Sequence, residues 1–243
     1  MTKIYSIGIG PGPLNLMTIR AKEILTRADA VVGYVRFIRL VESFIKNKEV
    51  YSNGLHKEDE RAHKAIQLAR EGKNVAVISS GDSGVYGMAV LLQQMLSSTE
   101  NISLEIIPGI TAAIAGASLL GTPLSNDFAV LSLSEDWTPE ETILSRARLF
   151  AQANVTTVLY NPGQSTEKPS LLADVIEIFR QHRRLDVPVA IVQKAYRTTQ
   201  SVEILTLDRF SVEKMDINST IFICSGECRV VDDRILGMRG YVI

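Results

Sequence analysis

The chain has 243 residues, 46% of them hydrophobic and 22% charged, which is enough apolar content for one large domain or two smaller ones with real cores. A formal net charge of −1 and no Lys/Arg-rich run argue against nucleic acid as the main partner. No apolar run approaches the roughly 20 residues a bilayer-spanning helix needs, so no membrane partner is expected.

The pattern opens directly on a strand, Ile4-Tyr5-Ser6-Ile7-Gly8-Ile9, so the expectation is that there is no signal peptide. With only two cysteines, Cys224 and Cys228, a reducing cytoplasm is the expected compartment. Thr18 to Thr26 reads as a helix with Thr18 as N-cap, Ala30 to Tyr34 as a strand, and Arg36 to Lys46 as one helix. A short strand near Glu49-Val50-Tyr51 follows, then a charged helix from Lys57 to Arg70 closed by Gly72. Val75-Ala76-Val77-Ile78 is an apolar strand, Tyr86 to Leu96 a helix, and Leu104 to Ile107 a strand. Pro108-Gly109-Ile110-Thr111 opens an alanine-rich helix to Leu120. Strands alternating with helices predict a mostly parallel sheet covered on both faces.

Turn residues cluster at Gly121-Thr122-Pro123-Leu124, which reads as a linker between domains 1–120 and 121–243. Beyond it, Phe128 to Leu133 is a strand. Thr138, Pro139 and Glu141 make a capping box opening a helix. Thr156 to Tyr160 is a strand, Ser170 to His182 a helix, and Val189 to Val192 a strand. The last stretches, Ser201 to Leu205, Thr220 to Cys224 and Tyr241 to Ile243, also read as strands, giving a mixed second sheet.

Three glycine-bearing loops stand at the carboxyl ends of predicted strands: Gly8-Ile9-Gly10-Pro11-Gly12-Pro13, Ser80-Gly81-Asp82-Ser83-Gly84-Val85-Tyr86-Gly87, and Pro108-Gly109-Ile110-Thr111-Ala112-Ala113. Strand, glycine loop, helix is how an open α/β sheet offers backbone groups to a small ligand. No Lys follows the glycines as in a phosphate loop, and neither G-x-G-x-x-G nor its distal acid is present, which disfavours a nicotinamide oxidoreductase. The expectation is that all three loops converge on one crevice. Asp82, between glycines, is placed to meet a polar ligand group or to cap loop amides.

Taken in order and spacing, these loops resemble those of the tetrapyrrole methyltransferases, the class III S-adenosylmethionine-dependent enzymes. Gly33-Tyr34, Ser52-Asn53-Gly54 with Glu60-Arg61-Ala62, and Ser79-Ser80-Gly81-Asp82 through Ala89 carry the likeness. So do Leu120-Gly121-Thr122-Pro123-Leu124 with Asp127-Phe128, Leu131-Ser132-Leu133-Ser134, Tyr160-Asn161-Pro162, Ala195-Tyr196-Arg197 and Arg239-Gly240-Tyr241. Within that family the pattern is most similar to the C-17 methyltransferases that act on precorrin-3B or cobalt-factor III. Departures fall at Pro13, Asn15, Asn126, Gly163 and the Cys224–Cys228 segment.

The resemblance implies a two-domain α/β fold with the donor held in the cleft between domains, a tetrapyrrole substrate, S-adenosylmethionine as methyl donor with S-adenosylhomocysteine as product, no metal, and a homodimer. It assigns the donor to Pro11, Gly81, Asp82, Val85, Tyr86, Thr111, Ala112, Leu159, Tyr160 and Ala195. Lys57, Arg61, Lys194, Arg197 and Arg239 are the cations offered to a substrate rich in carboxylates, and Asp127, Tyr86 and Ser134 are the acid/base candidates. Other readings are methylation at another ring position, a diphthine-type protein substrate, and a donor-binding protein without catalysis. His56, His63 and His182 show no metal-ligand spacing, and two cysteines supply only half of a four-thiolate site.

Overall fold

The computed structural model describes residues 2–96, 101–163, 170–212, 215 and 218–240. The chain divides into two compact units, one through Ala112 and one from Ala113 onward.

The first unit holds β1 (Thr2–Gly8), α1 (Ile19–Arg27), β2 (Ala30–Tyr34), α2 (Val35–Leu40), α3 (Glu42–Ile45), β3 (Glu49–Asn53), α4 (Glu58–Arg70), β4 (Val75–Ser79), α5 (Ala89–Met95) and β5 (Ile102–Ile107). Its strands lie in the order β3-β2-β4-β1-β5, all parallel. The apolar runs are continuous because both faces are covered, and successive residues alternate between the two. Ile7, Val31, Ala76 and Ile78 pack with α1, α2 and α3, while Ile4, Val32, Val75 and Val77 pack with α4 and α5. Thr18 caps α1 as expected: its hydroxyl oxygen accepts from the Ala21 amide at 3.1 Å, a contact typically worth about 1 kcal/mol. The helix expected over Arg36–Lys46 is two. Val41, fully buried with φ −117° and ψ 11°, breaks the helical repeat so that Ile38 and Ile45 both reach the core.

In the second unit, α6 (Ala112–Leu120) and β6 (Gly121–Thr122) precede β7 (Phe128–Ser132), α7 (Glu140–Gln152), β8 (Thr156–Tyr160), α8 (Ser170–His182), β9 (Pro188–Gln193), β10 (Ser201–Thr206), β11 (Ser219–Ile223), β12 (Cys228–Val231) and β13 (Arg234–Gly237). The main sheet runs β10-β9-β11-β8-β7. β7 pairs parallel with β8, and the other pairings are antiparallel, so the sheet is mixed. One face meets α7 and α8 through Leu159, Ile143, Val175 and Phe179. The other meets α6, where Gly116 is obligatory: an added Cβ would lie 2.7 Å from the Phe222 ring. That packing is why the alanine-rich helix belongs with the second unit, and the Gly121–Leu124 stretch lies inside it.

Two sequence expectations are corrected here. Pro139, extended at ψ 140°, is itself the N-cap of α7, which puts Thr138 one residue too early to cap. A second, three-stranded sheet, β12-β13-β6, was not expected. Its hairpin turns on Asp232 and Asp233, both at positive φ (48° and 58°), a type I′ geometry that asparagine and aspartate tolerate. The expected strand Tyr241–Ile243 lies outside the described residues.

Candidate active site

In the first unit β1 and β4 are neighbours, but β1 sends its chain to α1 on one face and β4 sends its chain to α5 on the other. The loops leaving these strands diverge, and this is where an open α/β sheet forms its ligand crevice. The glycine loops meet there. Gly10 and Gly81 form an antiparallel bridge, with each amide donating to the other's carbonyl at 3.0 and 2.9 Å. Gly10 and Gly81 adopt φ values of 74° and 66°, which side-chain-bearing residues resist. The third loop closes on the same corner: a Cβ on Gly109 would sit 2.1 Å from the Gly81 carbonyl oxygen and 2.6 Å from that of Gly8. A Cβ on Gly81 would be 3.4 Å from Thr111 Cα.

Asp82 fastens the second and third loops together. One carboxylate oxygen accepts from Gly84 N at 2.7 Å, the other from Gly109 N at 2.8 Å. Sequence reasoning missed the rest of the scaffold. Fully buried Ser83 donates to the Ser6 carbonyl at 3.0 Å, Ser79 Oγ accepts from Met88 N at 3.2 Å, and Gly87 must be small because a Cβ would meet Ser83 O at 2.6 Å. The Ser79-x-x-x-Ser83-x-x-x-Gly87 spacing was the available signal. These contacts delay α5, expected from Tyr86, until Ala89. Tyr86 instead stands in the loop at φ 55° and is 56% exposed. A bulky residue held in the left-handed region is the strain that clusters at functional sites. Val85 beside it is exposed, Pro11 is buried in the first loop, and Thr111 and Ala112 are half-buried in the third.

In the second unit the carboxyl ends of β7, β8 and β9 point the same way and carry their own strained corners. Asn161, Lys194 and Tyr196 have φ values of 57°, 51° and 63°. Asn161 Nδ2 donates to Ser132 Oγ at 3.0 Å, and the Tyr160 hydroxyl oxygen accepts from Ala113 N at 2.7 Å. Tyr196 and Ser118 hydroxyls share a hydrogen bond of 2.8 Å, with Ala195 half-buried between Lys194 and Tyr196. Leu159 is fully buried among α7 and α8 residues, so a ligand there has only its backbone to meet.

The five cations differ in kind. Arg61 is 4% exposed, and its guanidinium donates to Asn53 Oδ1 at 2.5 Å, Gly54 O at 2.7 Å and Glu58 Oε1 at 2.5 Å, an assembly that holds the β3–α4 turn. Lys57 is exposed and paired with Glu60 at 2.6 Å, which raises the lysine above its ordinary range. Lys194 and Arg197 are half-buried in the turn after β9. Burial lowers the Arg197 guanidinium from its usual value. Arg239 is exposed. Of the acid/base candidates outside the glycine corner, Asp127 is exposed, and Ser134 Oγ donates to Asp136 at 3.1 Å. Among the described residues, no group of three or more His, Cys, Asp or Glu side chains is arranged to hold a metal ion.

A parallel sheet whose glycine corners gather at the switch between β1 and β4 has the arrangement with which open α/β proteins meet small ligands at their strand ends. The family model of the Tetrapyrrole (Corrin/Porphyrin) Methylases matches residues 3–211, and the chain belongs to that family of methyltransferases. It is 38% identical to the probable cobalt-factor III C(17)-methyltransferase of Salmonella typhimurium, over 98% of both chains. To the precorrin-3B C(17)-methyltransferase of Sinorhizobium sp it is 31% identical, over 94% of this chain and 91% of that one. The cobalt-factor III methyltransferase of Priestia megaterium is 35% identical over 98% of this chain, which spans 45% of that protein's length. The crystal structure of the methyltransferase CobJ superimposes with a TM-score of 0.91 at 27% identity, covering 97% of this chain and 99% of that one.

Proposed function

We propose that this protein transfers a methyl group from S-adenosylmethionine to C-17 of a precorrin-3B or cobalt-factor III type tetrapyrrole, with the ring contraction that accompanies that step, in cobalamin biosynthesis. The observation that carries the reading is the meeting of Gly10, Gly81 and Gly109 at one corner, within a chain that parallels C-17 methyltransferases along its whole length.

The glycine corner supports a sulfonium nucleoside as the ligand. Close backbone approach needs loops without side chains, and a Cβ on Gly8 or Gly109 would fall within 3 Å of backbone atoms. The bound donor supplies an electrophilic methyl group on sulfur, so the chain need provide no Lewis acid. The residues here have positioning work to do. Gly81, Val85 and Tyr86 present the second loop, Thr111 and Ala112 the third, and Pro11 stiffens the first. Asp82 keeps the second and third loops in register. Tyr160 does the same for the first turn of α6, and Leu159 and Ala195 contribute backbone at the ends of β8 and β9. Holding two reactants aligned lowers a barrier by roughly 7–11 kcal/mol in favourable cases, so placement is the main source of rate.

Lys194 and Arg197 are the cations best suited to the substrate's carboxylates, because the turn that bears them is half-buried and strained. Lys57 and Arg239 are outlying contacts, and Arg61 acts through the β3–α4 turn. Tyr86, with Asp127 and Ser134 as alternates, handles the proton that leaves the ring, a contribution on the order of 10²–10⁴-fold. The protein works in the cytoplasm as a homodimer. Incubation with S-adenosylmethionine and a cobalt-factor III or precorrin-3-type substrate, followed by mass spectrometry of the product with the methyl position mapped, tests the proposal. A one-methyl gain at C-17 supports it. A gain at another position, or none with a donor-competent protein, overturns it.

A further inference from the structure

Ser132 closes β7, and its side chain belongs to the sheet face that packs on α6. Successive residues of a strand alternate between faces. Leu131 and Leu159 pack with α7 and α8, whereas Val130, Val158 and Tyr160 pack on the side of α6. Ser132 is the next member of that second set, and it pairs in register with Tyr160. The end of β7 is tied to the corner that follows β8. Leu133 N donates to the Tyr160 carbonyl at 2.9 Å. Asn161, held at φ 57°, donates from Nδ2 to Ser132 Oγ at 3.0 Å, and Ser134 N donates to the same oxygen at 3.3 Å.

A hydroxyl carries two acceptor lone pairs and a single proton. Both neighbours of Ser132 Oγ are donors, so its oxygen is filled as an acceptor, and what it has left to offer is its proton. Among the described residues none accepts that proton. The residue is half-buried, so a ligand can reach it, and a ligand meets it as a donor only. Lys194 and Arg197 stand at the other end of the same row of strand ends, in the turn after β9. The strands β9, β11, β8 and β7 are consecutive in the sheet, so three strand spacings, roughly 14 Å, separate the ends of the row. One carboxylate cannot touch both ends, whereas a ring bearing acid arms on several sides can.

We propose that Ser132 is a specificity-determining residue that donates a hydrogen bond to a carboxylate arm of the tetrapyrrole, at the end of the row away from Lys194 and Arg197. The inference rests on the methyl-transfer reading above and adds to it an uncharged contact for the substrate. A hydrogen bond to a carboxylate is stronger than one between neutral groups, so a single hydroxyl with a fixed direction discriminates between ligands. Asn161 and Ser134 give it that direction, because each occupies one lone pair and together they turn the proton away from the corner. A ligand group that can only donate finds no acceptor here.

Titration with cobalt-factor III in the presence of S-adenosylhomocysteine, followed by the fluorescence of Trp137, the chain's single tryptophan, tests this. Ser132→Ala is expected to weaken tetrapyrrole binding at least about tenfold and to leave S-adenosylhomocysteine affinity unchanged. Ser132→Thr keeps the hydroxyl and is expected to restore binding. A double-mutant cycle with Asn161→Asp separates a donated bond from a structural role. The new carboxylate can only accept, so it draws the Ser132 proton to itself while the bond between positions 132 and 161 persists. Removing the hydroxyl in that background is expected to cost nothing further. Equal losses in both backgrounds overturn the proposal, as does unchanged tetrapyrrole affinity in Ser132→Ala or a loss confined to S-adenosylhomocysteine. If Ser132→Ala melts early, Asn161→Asp alone decides: tetrapyrrole affinity lost with donor affinity kept supports the proposal, and no loss overturns it. Wild-type protein that binds S-adenosylhomocysteine but no tetrapyrrole overturns the methyl-transfer reading and this inference together, whereas the other failures overturn this inference alone.

Discussion

Asp82 and Gly109 are 27 residues apart in sequence and joined by a 2.8 Å hydrogen bond from the Gly109 amide to the Asp82 carboxylate. The same side chain also receives the Gly84 amide at 2.7 Å. An acid in a glycine loop therefore acts first on its own backbone, keeping the second and third loops in one arrangement. In Asp82→Asn the carboxamide can accept at only one of its two former positions and turns a donor toward the other. Hydrogen bonds to a charged group are worth about 1.5–3 kcal/mol each, so a loss of stability on that order is expected. Affinity for S-adenosylhomocysteine should fall at least tenfold by isothermal titration. Unchanged affinity would show that the loops keep their form without this fastener.

Gly109 and Gly54 make a matched pair of probes. A Cβ on Gly109 would overlap two backbone carbonyls, at 2.1 and 2.6 Å, and neither can swing aside. A Cβ on Gly54 has nothing within 4 Å. Overpacking costs typically 1–3 kcal/mol, and backbone on both sides places Gly109→Ala at the upper end or beyond. That variant is expected to melt early and to lose donor binding. Gly54→Ala should melt with the wild-type protein. Thermal melts with and without S-adenosylhomocysteine check both, and equal behaviour of the two variants would refute the crowding argument.

The convergence of the three loops was readable in the sequence because each follows an apolar strand and each carries glycine where chains must nearly touch. The parallel first sheet was readable for the same reason: strands buried on both faces leave unbroken apolar runs. What stayed hidden depends on partners distant in the chain. Nothing local marks Gly109 as the partner of Asp82, or Arg61 as a buried clamp on Gly54 rather than a solvent-facing cation. The β12–β13 hairpin escaped because its strands are short and largely exposed, and because Asp232-Asp233 lacks the glycine that usually announces such a turn. Thr138 looked like a cap by spacing alone, and the extended conformation of Pro139 decided otherwise.

Tyr160 acts on the start of α6 through its hydroxyl. Its hydroxyl oxygen accepts the Ala113 amide at 2.7 Å, one of the first-turn α6 amides that has no partner within the helix. Tyr160→Phe leaves the amide of buried Ala113 with no acceptor from this side chain, at a cost of about 1–3 kcal/mol if water does not replace it. The change should appear as faster amide exchange at Ala113 and its neighbours, together with weaker S-adenosylhomocysteine binding. Normal exchange with reduced affinity would point instead to direct contact between the phenol and the ligand.

Arg183 is the most demanding side chain in the second unit. It is 8% exposed, and its guanidinium donates to the carbonyls of Ala151, Cys224, Phe150 and Val155, at 3.3, 2.8, 2.8 and 2.6 Å, while lying 4.9 Å from the Phe179 ring centre. Two of those carbonyls belong to the last turn of α7, where the helix presents unpaired acceptors and partial negative charge. The other two belong to the residue before β8 and to Cys224 just after β11, so one cation ties three elements together. Burial lowers the guanidinium to about 10, which leaves it charged at neutral pH. Replacing it with leucine fills the space but takes a charged donor from four carbonyls, two of which, Ala151 and Val155, keep another donor, so Arg183→Leu should destabilise by about 3 kcal/mol. Lysine cannot reproduce the planar fork and should recover only part of that. Arg184→Leu, which removes an exposed pair with Asp186, should leave the denaturation midpoint where it was. Urea melts of the three variants rank these outcomes. A lysine variant as stable as the wild-type protein would mean that charge alone, and not the four-way fork, holds this edge of the sheet.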